Sequence, residues 1–505
     1  MATERQYVSL WVPSSKKALT AVLLAVTVIN SATLGYDASV MNNLNILPSY
    51  TEYFHLNITT TSLNTAGAWM GNLIGAIAMQ PIADKYGRKM TILLSALIIF
   101  IGTILQTAAQ NMGMFVTARI IVGAGAMLGN SGAPTLVAEL LPARTRGRLL
   151  GIFFSCFYVG SLISSIVNYG SQNIDSSWSW RTSSLLMFVP SALALALLPF
   201  CPESPRYLIS KGEFEHAREI LFILQGDGAH DLQKASEELH DMRAIMNKEA
   251  EEYPRSPWRE LISTPGNRKR LFVVASFGVM IEMFGNFVVS WYLTNILNQA
   301  GITNTTTQTQ INVILNCFCF IVAIVGSFTL DIIGRRLQTL ISIVGMTVTL
   351  YMIGGLIKVY GTSTNQSGIY GTIAVIFLFQ GFYSFAITPM TSVYPVEIAN
   401  FKLRSACVAV FRFADCGFGL MASFVMNFAM AKLNWKFYMI NASWDVVFLL
   451  IVYFFYPETK GLSLEGIATF FEGPQLIEAA LADDDSSKED GLTGKEGVIV
   501  TTVKA

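Results

Sequence analysis

Asp84-Lys85-Tyr86-Gly87-Arg88-Lys89 and, 247 residues later, Asp331-Ile332-Ile333-Gly334-Arg335-Arg336 are one short charged phrase set down twice between long apolar runs. The first separates apolar runs over 62–83 and 90–109, the second runs over 309–330 and 338–359. Runs of that length cross the ~30 Å hydrocarbon layer of a bilayer as helices. Lipid offers no partner to a backbone amide, so such a run must satisfy its own amides by coiling. The doubled phrase therefore predicts an all-α integral membrane protein of two similar halves.

Reading outward, further apolar runs fall at 18–38, 114–136, 149–170 and 180–200, then at 271–297, 370–395, 405–430 and 437–456, which makes twelve transmembrane helices. Composition agrees: of 505 residues 52% are hydrophobic and 13% charged, with a mean hydropathy of +0.48, where a soluble domain carries about 25% charged residues. The plan is an N-terminal segment (1–17), a six-helix bundle (18–200), linker helices (201–270), a second six-helix bundle (271–456) and a tail (457–505). The linker mixes both charge signs and places Phe214, Ala217, Ile220 and Leu221 at helical spacing. Its expected role is to join the halves without chemistry of its own. The tail run Asp483-Asp484-Asp485-Ser486-Ser487 has the composition of disorder. The start of the chain is polar, and no cleavable signal peptide is expected. Zero net charge argues against a nucleic-acid partner. The six cysteines show neither metal-ligand spacing nor a secreted disulfide pattern, so they are expected to be packing residues. No phosphate loop, metal cluster or nucleophile constellation emerges, so no enzyme, cofactor or metal is expected.

Orientation follows from loop charge. Loops after spans 2, 4, 8 and 10 hold ten basic residues, Lys85, Arg88, Lys89, Arg144, Arg146, Arg148, Arg335, Arg336, Lys402 and Arg404, against two, Lys432 and Lys436, on the other side. Both termini and the linker are thus expected in the cytoplasm. Three glycosylation sequons, at Asn57, Asn304 and Asn365, all fall on the opposite side.

The repeat continues beyond the charged phrase. Glu139 stands seven residues before Arg146 after span 4, and Glu397 seven before Arg404 after span 10. Pro202-Glu203-Ser204-Pro205-Arg206 closes the first half and Pro457-Glu458-Thr459-Lys460-Gly461 the second. Carboxylates at these helix ends can accept from arginine forks and from exposed helix-terminal amides. Asp84, Arg88, Glu139, Arg146, Asp331, Arg335, Glu397 and Arg404 are therefore candidates for a cytoplasmic latch that breaks when that side opens. Ordinary interfacial anchoring is the alternative. A duplicated six-span unit is the plan of molecules whose bundles rock about a central site.

The motifs now in hand resemble the sugar-porter branch of the major facilitator superfamily. Both charged phrases look like its loop motif, and Pro134, Glu139, Pro142, Arg146 and Gly147 match the spacing of its fourth-span signature. The two half-closing phrases, Gly35-Tyr36-Asp37 and Tyr394-Pro395-Val396-Glu397 add to the likeness, which runs from about residue 20 to 466. The wording around Ser179-Trp180-Arg181 and Thr388-Pro389 is most similar to the fungal lactose-permease-like group. The resemblance implies the major facilitator fold and a plasma-membrane carrier, working as a monomer by alternating access. Its cargo would be a sugar or polyol, moved downhill or with a proton.

The resemblance also predicts cavity positions, and here the chain departs from glucose-type members. The fifth-span Gln falls on Phe154, the seventh-span Gln pair on Ile281 and Glu282, and the following Asn on Phe287, with Asn286 displaced by one. The eighth-span Asn falls on Cys319, one turn after Asn316, and the tenth-span Trp on Ser392. Lost amides matter because a buried hydroxyl left unpaired costs ~1–3 kcal/mol. The pattern points to a non-glucose saccharide such as a disaccharide, or to export or exchange of another small metabolite on the same frame. A sensor that binds solute without moving it is a third reading. Phe154, Glu282, Asn286, Trp291, Tyr292, Asn316 and Ser392 are the candidate substrate residues, with Trp291 or Tyr292 as the ring-stacking face.

Ionisable groups at membrane depth cost ~2.5–3.5 kcal/mol on insertion scales. Asp37 in span 1 and Arg119 in span 4 occupy positions that form the proton-coupling pair of proton-driven relatives. An Asp beside an Arg stays ionised, and separating them favours its protonation. The same two residues can equally be a permanent structural pair. Arg412 and Asp415 lie i, i+3 on one helix, where a local ion pair is the simple reading. Glu282 could bind hydroxyls, take a second proton or pair with Arg412.

Overall fold

The computed structural model describes residues 7–140, 153, 155–225, 229–252, 257–361, 363, 365–399, 403–460, 467, 470 and 471. Among the described residues all regular structure is helical. Ten helices are long and apolar enough to cross a membrane. They are Lys16–Ile46 (span 1), Arg88–Thr107 (span 3), Met112–Leu140 (span 4), Trp178–Phe200 (span 6) and Pro265–Gln299 (span 7) in the first part of the chain. Thr305–Ile333 (span 8), Arg335–Tyr360 (span 9), Gln366–Glu397 (span 10), Arg404–Leu433 (span 11) and Trp435–Phe455 (span 12) follow. Ile58–Tyr86 (span 2) and Phe157–Ser171 (span 5) complete the twelve. Span 2 reads as less apolar because Ser62, Asn64 and Thr65 on it are buried inside the protein, away from lipid.

Polarity is inverted relative to a water-soluble domain. Ile332, Phe454 and Ile77 are 70%, 69% and 65% exposed on the outer surface, while Asn43, Asn64, Gln106 and Asn168 are fully buried. A side chain on the lipid face gains nothing by hiding, whereas a buried amide persists by hydrogen bonding within the bundle. Close helix contact supports that bonding. A Cβ at Gly71 would sit 2.1 Å from the Ile120 carbonyl, and one at Gly75 2.7 Å from that of Ala124, so both glycines let spans 2 and 4 meet backbone to backbone.

Two spans are interrupted. Span 6 divides into Trp178–Leu185 and Phe188–Leu197. Span 7 ends its first helix at Met283, turns through Gly285 at φ 82° and resumes at Asn286, with Tyr292 again non-helical. Between the halves lie Pro205–Ser210, Phe214–Gln225, Ala229–Glu252 and Pro257–Ser263. Phe214–Gln225 buries Ala217, Ile220 and Leu221. The amides of Tyr7 and Val8 donate to Glu219 on its outer side at 2.9 and 3.3 Å. The acidic tail run lies outside the described residues.

Among the described residues, side-chain hydrogen bonds join the halves at the sequon end. Asn42 accepts from the Leu293 amide at 3.1 Å, Asn312 donates to Asn43 at 2.5 Å, and Asn427 donates to Ser62 at 2.9 Å. Each of these bonds joins a first-half span to a second-half span, and together they seal that end.

Candidate functional site

Below the seal, both halves line a cavity of about 200 Å³. Spans 1, 2, 4 and 5 contribute Asp37, Trp69, Asn130 and Tyr158, and spans 7, 8, 10 and 11 contribute Glu282, Asn316, Gln380 and Asp415. Asn72 Oδ1, Asn130 Oδ1 and Gln380 Oε1 are buried with no protein partner among the described residues. Amide oxygens in that state are acceptors waiting for a donor.

Asp37 Oδ1 accepts a short hydrogen bond from Arg119 Nη1, and its backbone carbonyl lies 3.5 Å from Nη2. Arg119 has no solvent exposure and Asp37 is 4% exposed. Span 1 is fixed nearby by Tyr36, whose hydroxyl donates to the Ser183 carbonyl at 2.8 Å. The carboxyl faces the cavity while the guanidinium stays behind it, so the ion pair forms part of the cavity wall.

Glu282 occupies the last turn before the break in span 7, one turn after Gly278, where a Cβ would lie 3.1 Å from the Asp415 amide nitrogen of span 11, so its carboxyl stands beside that of Asp415. Asp415 also pairs with Arg412 at 3.4 Å on its own helix, the local pair expected from the i, i+3 spacing. Asn286 opens the second helix of span 7, lines the cavity and accepts from Ser290 at 3.2 Å. Trp291 stacks on Phe287 with centroids 5.8 Å apart and faces Trp69 of the other half at 5.8 Å. These rings form an aromatic wall. Tyr292 turns away from the cavity and donates to the Ser423 carbonyl at 2.7 Å, so of the two ring candidates only Trp291 faces the cavity. Asn316 accepts from Ser161 at 2.5 Å and donates to Ser165 at 3.1 Å, across the halves. Phe154 lies outside the described residues, as does the side chain of Ser392. Ile281, Phe287 and Cys319 line the cavity, so apolar groups do stand where the resemblance implies amides.

At the basic end the two charged phrases fold alike. Gly87 and Gly334 adopt φ 92° and 102°, a region that disfavours a side chain. A Cβ there would also meet Glu203 Oε2 at 2.4 Å and Glu458 Oε2 at 2.6 Å. Glu203 accepts from the amides of Arg88 and Lys89 at 3.0 and 3.1 Å, and Glu458 from those of Arg335 and Arg336 at 2.9 and 3.0 Å. Each carboxylate from a half-closing phrase thus caps the helix that the loop phrase begins. Burial pushes the Glu203 carboxyl above the usual carboxylate range, against the pull of the amides of Ser204, Lys89 and Arg88.

The arginines complete the ties. Arg88 pairs with Glu139 at 3.1 Å and Asp84 at 3.9 Å, and Arg335 with Glu397 at 2.9 Å and Asp331 at 2.9 Å. Ser204 donates a short bond to Glu139, and Thr459 donates to Glu397 at 2.7 Å. All these ties run within one half. Arg146 lies outside the described residues, as does the side chain of Arg404.

The three sequon asparagines are helix N-caps. Asn57 forms a reciprocal box with Thr60, Asn304 accepts from the Thr307 amide, and Asn365 accepts from those of Ser367 and Gly368. An Asn followed two residues on by Thr or Ser suits a cap as well as a glycan. Sequence reasoning expected carboxylates to take helix-terminal amides but did not single out Glu203 and Glu458 for it, and it missed the Glu282–Asp415 contact and the asparagines at the sequon end. Asp445 is fully buried in span 12, with neither carboxyl oxygen partnered among the described residues.

Comparison with known proteins places these features in context. The high-affinity glucose transporter of Kluyveromyces lactis is 27% identical over 465 residues, covering 87% of this chain and 82% of that protein. H(+)/hexose cotransporter 2 of Parachlorella kessleri is 26% identical over 420 residues, covering 82% and 75%. The major facilitator proton:xylose symporter XylE, solved with 6-bromo-6-deoxy-D-glucose, superposes with a TM-score of 0.74 at 21% identity over 90% of this chain and 100% of that one. The fold is therefore the major facilitator fold. Residues 23–471 match the family described as sugar (and other) transporter, and that match covers the twelve spans, both capped phrases and the cavity. The chain belongs to the sugar (and other) transporter family, a family of membrane carriers and not of enzymes.

Proposed function

We propose that this chain is a proton-coupled sugar transporter of the plasma membrane, with both termini and the linker helices in the cytoplasm. The observation that carries the reading is the buried Asp37–Arg119 pair on the wall of a cavity shared by both halves. A shift of the Arg119 side chain away from Asp37 strands a carboxylate in a dry site, and taking up a proton relieves that charge. The unpartnered oxygens of Asn72, Asn130 and Gln380 supply acceptors for hydroxyl donors. Trp69 and Trp291 supply faces for the C–H side of a ring. The hexose-carrying relatives named above support sugar as the cargo and protons as its driver.

Ile281, Phe287 and Cys319 in amide positions support a saccharide other than glucose, and the lactose-permease-like wording around Trp180 agrees with that. A cavity of about 200 Å³, below the ~300–1,000 Å³ of drug-sized sites, favours a small solute. A disaccharide would need the cavity to widen. Uptake of a labelled sugar panel into transporter-null cells at two external pH values tests the proposal. Uptake of one sugar, stronger at acid pH and lost as accumulation in Asp37→Asn with exchange spared, is expected. If no sugar enters and a secreted metabolite leaves, the carrier is an exporter on the same scaffold, a reading that the Glu282 carboxyl in the cavity favours.

A further inference from the structure

Glu282, Asp415 and Arg412 remain unused when Asp37 and Arg119 carry the coupling. Glu282 and Asp415 are each 8% exposed, come from spans 7 and 11, and both line the cavity. Spans 7 and 11 pack closely there, Gly278 against the Phe411 carbonyl and the Asp415 amide, and this contact sets the Glu282 carboxyl one turn on beside that of Asp415. Two ionised carboxylates have only acceptor positions and nothing to donate, so side by side they favour holding one proton between them. Arg412 lies on the Asp415 side at 3.4 Å, which leaves the negative charge on Asp415 and the proton on Glu282. Two carboxyls, one proton and one guanidinium sum to zero charge. Without the proton, one negative charge stands uncompensated in a nearly dry site. Among the described residues, Tyr383 of span 10 and Cys416 beside Asp415 are the other titratable groups near the pair. Neither brings a positive charge, and Asp37 across the cavity is already held by Arg119.

We propose that Glu282 and Asp415 form a second proton-binding site, whose shared proton makes this side of the cavity wall a hydrogen-bond donor as well as an acceptor. An amide offers a donor and an acceptor, and so does a protonated carboxyl, whereas a carboxylate only accepts. Protonated Glu282 therefore presents a hydroxyl-bearing solute with what an amide would present there. This consequence for solute rests on the carrier reading above, while the proton itself does not. For one linked proton, affinity for such a solute falls by at most tenfold per pH unit once the pair deprotonates.

Infrared difference spectroscopy of the purified full chain in lipid nanodiscs, titrated with acid and base and with no solute added, decides the matter. The expected result is a protonated-carboxyl C=O band that titrates, is lost in Glu282→Gln and in Asp415→Asn, and survives in Asp37→Asn. The two shape-conserving substitutions stand in for each other should one fail to fold. A wild-type protein without the band, or a band that survives both dyad substitutions, overturns the proposal. A band lost in Asp37→Asn alone also overturns it, and leaves the coupling role of Asp37 intact. If Asp37→Asn still accumulates sugar against a gradient while the band follows Glu282 and Asp415, the dyad stands and the Asp37 reading fails.

Discussion

The Asp37–Arg119 pair can be tested as structure and as coupling device in one cycle of variants. Arg119 has no exposure and its Nη1 is bonded to Asp37, so Asp37→Ala strands a buried guanidinium. Breaking a buried pair from one side costs ~3–5 kcal/mol, a loss of roughly 100-fold or more in the folded-to-unfolded ratio. Asp37→Asn keeps an acceptor for Nη1 and should lose less, ~1–3 kcal/mol. Asp37→Asn with Arg119→Gln removes both charges together and should return to within ~1 kcal/mol of wild type, since no charge is then stranded. Thermal inactivation followed by fluorescence size exclusion in detergent reads stability, and solute accumulation against exchange in proteoliposomes reads coupling. The double variant is expected to be folded and to exchange solute, yet to equilibrate it without concentrating it in response to a proton gradient. Were the double variant as unstable as Asp37→Ala, the contact would not be acting as an ion pair. Were it stable and still concentrative, the pair would be structural only, and coupling would have to reside elsewhere.

Three further outcomes are expected. Glu458→Ala removes the acceptor for the Arg335 and Arg336 amides at 2.9 and 3.0 Å and should cost ~2 kcal/mol at about 1 kcal/mol per bond. The melting temperature should fall, with Gly334→Ala lowering it for the same reason because its Cβ displaces that carboxylate. For Glu203 the folded carboxyl is raised by burial, so the folded state binds a proton more readily than the unfolded chain. Its contribution is full below the ordinary carboxylate range and is lost as pH rises through the raised value; Glu203→Gln should flatten that acid-side slope in melting curves, and an unchanged slope would refute it. Asn57→Asp, Asn304→Asp and Asn365→Asp keep the caps, which asparagine and aspartate form about equally well. They should leave stability within ~0.5 kcal/mol while abolishing any endoglycosidase-sensitive mobility shift, which also tests which face of the membrane the sequon end occupies.

Much of this was legible in the sequence, for reasons that differ residue by residue. The spans declared themselves because lipid imposes a length and a polarity that no other environment does. Span 2 was the weakest signal, since Asn64 and Thr65 on it serve the interior. The repeat and the kind of bond its carboxylates make were readable, but which carboxylate takes which amide was not. That Glu203 caps span 3 depends on the Arg88 amide pointing at it, a fact of loop geometry and not of spacing. The i, i+3 pairing of Arg412 with Asp415 was readable and true, and it hid the longer-range partner, because Asp415 also reaches Glu282 on another span. Trp291 and Tyr292 were indistinguishable in sequence. The non-helical Tyr292 backbone at φ −134° lies at the point where the first faces the cavity and the second turns away to Ser423.

The two ends of the molecule are held by different kinds of contact, and that difference bears on what moves. At the basic end, capping carboxylates and arginine forks join helices of the same half through charge-assisted bonds, each worth ~1.5–3 kcal/mol. Among the described residues these ties stay within one bundle and stiffen it. At the sequon end the contacts cross between halves and are made by neutral amides and hydroxyls, Asn42 with Leu293, Asn43 with Asn312, and Ser62 with Asn427. Each is worth only ~1 kcal/mol net, and water entering an open mouth can replace it. The strong bonds therefore lie where rigidity is needed, and the weak ones lie across the surface that must part. A solute held between Trp69 and Trp291, just beneath that seam, is well placed to tip a balance of a few kcal/mol.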